Sequence, residues 1–142
     1  MHADLACTRA NCKAPTGYYF DEGEDAFARD WSKDYPTGNL WLNPPFADIG
    51  RWAEKCAWHG VRRHGLIFLL TPASIGTDWF AARVWGNARV LGVRPRLTFE
   101  GTSDPYPKDL MLSIFGKATD GFGLWQWKTQ GTQASGDEKE SK

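Results

Sequence analysis

The stretch of this chain best equipped for chemistry is Asn43-Pro44-Pro45-Phe46. The Asn43 side-chain oxygen and the Pro44 carbonyl are both hydrogen-bond acceptors. Two adjacent prolines lock φ and hold those acceptors in a fixed geometry. Phe46 adds a face on which a planar ring can stack, worth about 1–3 kcal/mol per base. Together they describe a clamp for an exocyclic amino group on an aromatic ring. Two acceptors drawing on the amine hydrogens push the nitrogen lone pair out of conjugation, which makes the amine a better nucleophile. No strong base is needed at the start, because the nitrogen becomes acidic only after a methyl group has been added. An electrophilic methyl donor would complete the machinery.

A clamp of this kind needs rigid elements on both sides. Before it, "NLWLN" at 39–43 reads as a strand that ends at the prolines. After it, "DIGRWAEKCAWHGVRRH" from Asp48 reads as a helix over 48–62, with Ile49, Trp52 and Cys56 on one face and Asp48 as N-cap. "GLIFLLTP" at 65–72 is an apolar run of strand length, the pattern of a central strand buried on both faces. "GTDWFAARVWGN" at 76–87 carries helix start and stop signals. Earlier, "DLAC" reads as a strand, "TGYYF" at 16–20 as a second, "DEGED" as an acidic loop and "AFARDW" as a helical turn. Four short strands are expected at the end: "ARVLGVRP", "RLTFEG", "DLMLSIFG" and "GFGLWQWK". The alternation predicts an α/β sheet with a parallel centre and antiparallel edge strands, in which ligands bind beyond the carboxyl ends of the strands.

Composition narrows the class. The 142 residues suffice for one domain, which we expect over 1–128, with a polar, disordered tail at 129–142. No run approaches the roughly 18 apolar residues of a membrane span, so no membrane role is expected. Cys7, Cys12 and Cys56 have no CxxC spacing, which argues for reduced thiols in a cytosolic protein and against a zinc site. His2, His59 and His64 show no ligand spacing, and no metal is expected. Trp52, Trp58, Trp79 and Trp85 are expected in the core. The net charge is zero, but residues 51–117 hold ten Lys/Arg against five Asp/Glu. That middle segment, which includes Arg62, Arg63, Arg94, Arg96 and Lys108, is a candidate to face a phosphate backbone.

Taken in order, "DLACTRANCKAPTGYYF", "EDAFARDW", "LWLNPPFADIGRWAEKC", "FLLTPASIGTDWF" and "RPRLTFEG" resemble the phage-type, Dam-like DNA adenine N6-methyltransferases from about residue 3 to residue 116. The resemblance implies a class I, Rossmann-like, S-adenosylmethionine-dependent fold and an enzyme that methylates an adenine flipped out of duplex DNA. Asn43, Pro44 and Phe46 would then hold and stack the base, with Pro45 shaping the turn. Asp4 would face the methionine part of S-adenosylmethionine, with Ala6 small enough for close approach. Asp21 or Glu22 would meet the ribose, Asp25 the cofactor's adenine amino group, and Phe27 its ring. Such an enzyme is expected in the cytoplasm of a bacterium or phage-infected cell.

The chain departs from this pattern at its start. Met1 falls inside what should be the first strand, so the segment that family members carry before it is expected to be missing. A homodimer or a partner chain would then complete the cofactor pocket. "DLACTRANC" has no glycine-rich turn, and base reading is left to loops such as 101–109, "GTSDPYPKD". Two alternatives share these features. One is an amino-methyltransferase acting on RNA or a glutamine side chain; the other is a non-catalytic relic that binds DNA or protein.

Overall fold

The structure, a computed structural model, describes residues 3–4, 26–99, 101–116 and 121–128. Six strands form one sheet: β1 (Ala3–Asp4), β2 (Leu40–Leu42), β3 (Ile67–Pro72), β4 (Ala88–Arg94), β5 (Leu110–Phe115) and β6 (Phe122–Gln126). Their order across the sheet is β1-β2-β3-β5-β4-β6. β1, β2 and β3 run parallel, β5 is antiparallel to both neighbours, and β6 returns parallel to β4. This is the α/β class I sheet that the resemblance implied. The antiparallel strand lies inside the sheet, between β3 and β4, and the outermost described strands are parallel to their neighbours.

Among the described residues the α-helices are α1 (Trp31–Asp34) and α2 (Ile49–Gly60). α2 connects the parallel pair β2 and β3, as such a crossover must. Its buried residues Ile49, Trp52, Ala53, Cys56, His59 and Gly60 recur at helical spacing. Trp52, Ala53 and Cys56 form one core with Leu40, Leu42, Ile67, Leu69, Met111 and Phe115, which point to that side of the sheet. Gly60 is needed at the contact, since a Cβ there would sit 3.0 Å from the Phe115 Cβ. The opposite face holds Leu70, Val93, Leu110 and Leu112, covered in part by Leu97, Phe99 and Tyr106 from the segment between β4 and β5. β3 is thus apolar on both faces, as its unbroken hydrophobic run requires.

Several local expectations change. "RLTFEG" does not form a strand: residues 96–99 are irregular. β4 already pairs with β5 on one side and β6 on the other, so no ladder is free for them. The segment instead folds back, with the Tyr106 amide donating to the Leu97 carbonyl at 2.7 Å. The helix expected over 76–87 is shorter, over 78–84, and widens to π geometry at Phe80–Val84, where the Trp85 amide reaches the Phe80 carbonyl at 2.9 Å. This turns Phe80 and Val84 both into the core. Asp48 occupies the N-cap position of α2 without capping it; its carboxylate pairs with Arg51 at 3.2 Å. Trp52 is buried and Trp79 packs against the core, whereas Trp58 and Trp85 are exposed. Trp58 lies under the Arg62 guanidinium and Trp85 stacks on Phe122, so both trade burial for surface ring contacts. Among the described residues no helix is long and apolar enough to cross a membrane. The expected tail at 129–142 lies outside the described residues.

His59 sits in this core without a hydrogen-bond partner at either ring nitrogen, stacked on Trp31 at 4.6 Å and only 1% exposed. Burial, with Lys55 nearby, pushes its pKa down to about 4. The unfolded chain therefore takes up this proton first, near the ordinary value of about 6.5. Stability is undiminished above that pH and is lost as pH falls from about 6.5 towards 4, by about 2 kcal/mol at pH 5. Urea unfolding at pH 7 and pH 5 checks this: the wild-type midpoint drops by more than that of His59→Phe, which has no proton to bind.

Candidate active site

Leu40 and Leu42 are fully buried and fix β2 in the sheet. Pro44 cannot continue the ladder, so the chain leaves the sheet at Asn43. β3 runs on beyond its pairing of Leu69 with Leu42, as far as Pro72, and gives the exit a wall on that side. Pro44 is buried, Pro45 is exposed, and Asn43 and Phe46 are half-buried at the carboxyl edge before α2 begins. Buried Pro44 anchors the turn, while its neighbours keep part of their surface exposed.

The geometry on either side of Pro44-Pro45 suits a planar ligand. No described residue hydrogen-bonds the Asn43 side chain, so its amide remains available. Phe46 meets the edge of Tyr106 at 5.7 Å and 76°, and Tyr106 meets Phe99 at 5.7 Å and 78°. An edge-to-face contact of this kind fixes the tilt of the Phe46 ring, which also packs against the cluster of Leu70, Val93, Leu110 and Leu112. Sequence reasoning singled out loop 101–109 for base reading and did not assign Tyr106 to support of Phe46. Its position between Pro105 and Pro107 was the available signal.

The neighbouring strand brings in the second expected group. β1 pairs with β2 in parallel, with Asp4 level with Trp41, so the backbone of Asp4 ends beside the strand that carries Asn43. Phe27 lies against the first turns of α2, 4.4 Å from the Trp52 ring, with the Arg51 guanidinium 4.0 Å from its centroid. Ala6, Asp21, Glu22 and Asp25 lie outside the described residues. Ile49 and Trp52 belong to the packed face of α2 beneath the site, as expected. Thr77 caps its turn, its hydroxyl oxygen accepting from the Phe80 amide at 3.4 Å.

Arg63 leaves the set of candidate phosphate contacts. It is 6% exposed, and its guanidinium donates to the carbonyls of Tyr35 (2.6 Å), Thr37 (3.2 Å) and Gly38 (2.9 Å). Burial lowers its pKa to about 10, so it stays charged at neutral pH. Its role is to hold the chain that leads into β2.

Comparison with known proteins adds the following. Residues 2–109 match the family described as DNA N-6-adenine-methyltransferase (Dam). No curated protein matches the chain. A crystal structure described as that of a predicted O-methyltransferase from Agrobacterium tumefaciens is similar at 15% identity and a TM-score of 0.42. The match covers 82% of this chain and 57% of that one, so the chain spans little more than half of that protein's length.

Proposed function

The chain belongs to the DNA N-6-adenine-methyltransferase (Dam) family, and on that premise we propose that it methylates the exocyclic amine of an adenine flipped out of duplex DNA, using S-adenosylmethionine. The observation that carries this reading is the half-buried amide of Asn43, which no described residue hydrogen-bonds, three residues before a Phe46 ring in edge-to-face contact with Tyr106. Asn43 Oδ1 and the Pro44 carbonyl accept the two hydrogens of the adenine amine and turn its lone pair away from the ring. Phe46 stacks on the base, which offsets part of the few kcal/mol that flipping costs. The proton shed after transfer leaves by way of the Asn43 oxygen to water.

The described part of the cofactor crevice fits S-adenosylmethionine in one respect. β1 and β2 are parallel neighbours whose carboxyl ends open on the same side, where such sheets bind ligands. Asp4, Ala6, Asp21, Asp25 and Phe27 are the residues proposed to hold it. When bound, it supplies an electrophilic methyl group. An enzyme of this kind works on DNA in the cytoplasm of a bacterium or phage-infected cell.

The decisive experiment supplies labelled S-adenosylmethionine and mixed-sequence duplex DNA and analyses the nucleosides. N6-methyladenine is expected; label only in competing RNA or in protein, or none at all, overturns the reading. Phe46 gives a second check. Phe46→Ala is expected to lower kcat/KM for DNA by about 10- to 100-fold, the loss of one stacking contact. Phe46→Tyr keeps the ring face and stays within a few-fold of wild type. Steady-state kinetics with DNA as the varied substrate measures both.

A further inference from the structure

The edge that carries Asn43 continues across the whole sheet. β2, β3, β4 and β6 point their carboxyl ends to it, and antiparallel β5 points its amino end. Lys108 and Asp109 therefore stand before β5, Arg94-Pro95-Arg96 at the end of β4, and Trp127-Lys128 beyond β6, all on the side of the base pocket. From β2 to β4 is three strand steps, or about 14 Å at about 4.8 Å each. That matches the axial rise of about four nucleotides of one DNA strand.

Arg94, Arg96, Lys108 and Lys128 are all exposed. Arg94 hydrogen-bonds the uncharged Gln126 (3.3 Å), and Arg96 is held by Asp109 (3.0 Å). The Trp127 amide and indole donate to the Arg94 and Pro95 carbonyls, which fastens the end of β6 to the end of β4 and brings Lys128 to that corner. β6 and Lys128 lie beyond residue 109, where the family match ends, whereas Arg94, Arg96 and Lys108 lie within it. Of the other described cations of the middle segment, Arg51 in the first turn of α2 is paired with Asp48 and lies over Phe27, and Lys55 further along α2 bonds the Arg29 carbonyl. Buried Arg63 serves the chain leading into β2, Arg62 follows the far end of α2, and Arg83 and Arg89 flank the start of β4 at the opposite edge. Arg94, Arg96 and Lys108 thus share the edge of Asn43, while Arg62, Arg83 and Arg89 do not.

We propose that Arg94, Arg96 and Lys108, with Lys128 fastened by Trp127, form a phosphate-binding surface that docks duplex DNA alongside the base pocket. The proposal rests on the reading that duplex DNA is the substrate, and deepens it. Contacts to phosphates carry no sequence information; they fix position and orientation while the pocket captures the base. A phosphate replaces Asp109 as the partner of Arg96, so the surface is partly masked until DNA arrives.

Binding of a labelled mixed-sequence duplex, followed by fluorescence anisotropy across a salt series, tests this without methyl transfer. The triple variant Arg94→Ala/Arg96→Ala/Lys108→Ala is expected to lose up to about 2.7 units of the slope of log K against log salt, at about 0.9 per phosphate contact. The charge-matched control Arg62→Ala/Arg83→Ala/Arg89→Ala is expected to keep the wild-type slope. Asp109→Asn, which frees Arg96, is expected to bind several-fold more tightly. Equal losses in both triple variants, an unchanged slope in the first, or no duplex binding at low salt each overturn the proposal. If the slope follows the edge residues but no N6-methyladenine forms, the docking surface stands and the catalytic reading fails.

Discussion

Asn43→Ala is expected to reduce methyl transfer by up to about a thousandfold, the upper cost of removing one preorganised polar group that acts on the reacting atom. The alanine keeps the backbone and Pro44, so the strand exit and the Phe46 ring remain. What is lost is the oxygen that accepts from the adenine amine, and with it the pull that frees the lone pair. No described residue hydrogen-bonds this amide, so the substitution breaks no described contact, and unfolding should occur at the wild-type midpoint. The effect falls on kcat more than on KM, because stacking on Phe46 persists. Single-turnover kinetics beside urea unfolding separates the two. An active Asn43→Ala chain would mean that the clamp is not the reacting site.

The second large effect is on stability. Arg63→Ala is expected to cost about 3 kcal/mol, since hydrogen bonds to charged groups contribute about 1.5–3 kcal/mol each and the loss leaves buried acceptors unpaired. Nε and Nη2 tie Tyr35, Thr37 and Gly38 to the end of α2. Just beyond, Gly38 and Gly65 pass so closely that a Cβ on Gly65 would lie 2.0 Å from the Gly38 carbonyl oxygen. The arginine thus fixes the entry to β2, whose other end carries Asn43. Arg63→Lys recovers part of the loss, because an ammonium cannot reproduce the planar fork. Thermal unfolding measures both variants, with a fall for the alanine of roughly 10 °C. A shift within a degree or two of wild type would assign Arg63 to the surface after all.

The strand exit that carries the proposed site was more legible than the sheet that builds it. Asn43-Pro44-Pro45-Phe46 could be placed at the end of β2 because two prolines after an apolar run have a local meaning, independent of what lies across the fold. α2 and β3 were legible for the same reason: a 3.6-residue period and an unbroken apolar run each declare their element. "RLTFEG" misled because Leu97 and Phe99 have strand-like composition, while whether they pair depends on whether a neighbouring strand has a free edge. Arg63 misled in a related way. A cation in sequence reads as surface until the carbonyls that surround it are known.

Taken alone, the sequence determined the helix after Asn43-Pro44-Pro45-Phe46, the central buried strand and the family. These rest on patterns that the chain satisfies within a few residues, or on motifs in a fixed order. Only the tertiary structure decided that β5 lies between β3 and β4, that Tyr106 stands against Phe46, and that Arg94, Arg96 and Lys108 share an edge with Asn43 while Arg62, Arg83 and Arg89 do not. Strand order is set by which apolar faces can be buried together across long separations. Local periodicity is blind to that choice, and one strand's change of partner moves every charge at its ends.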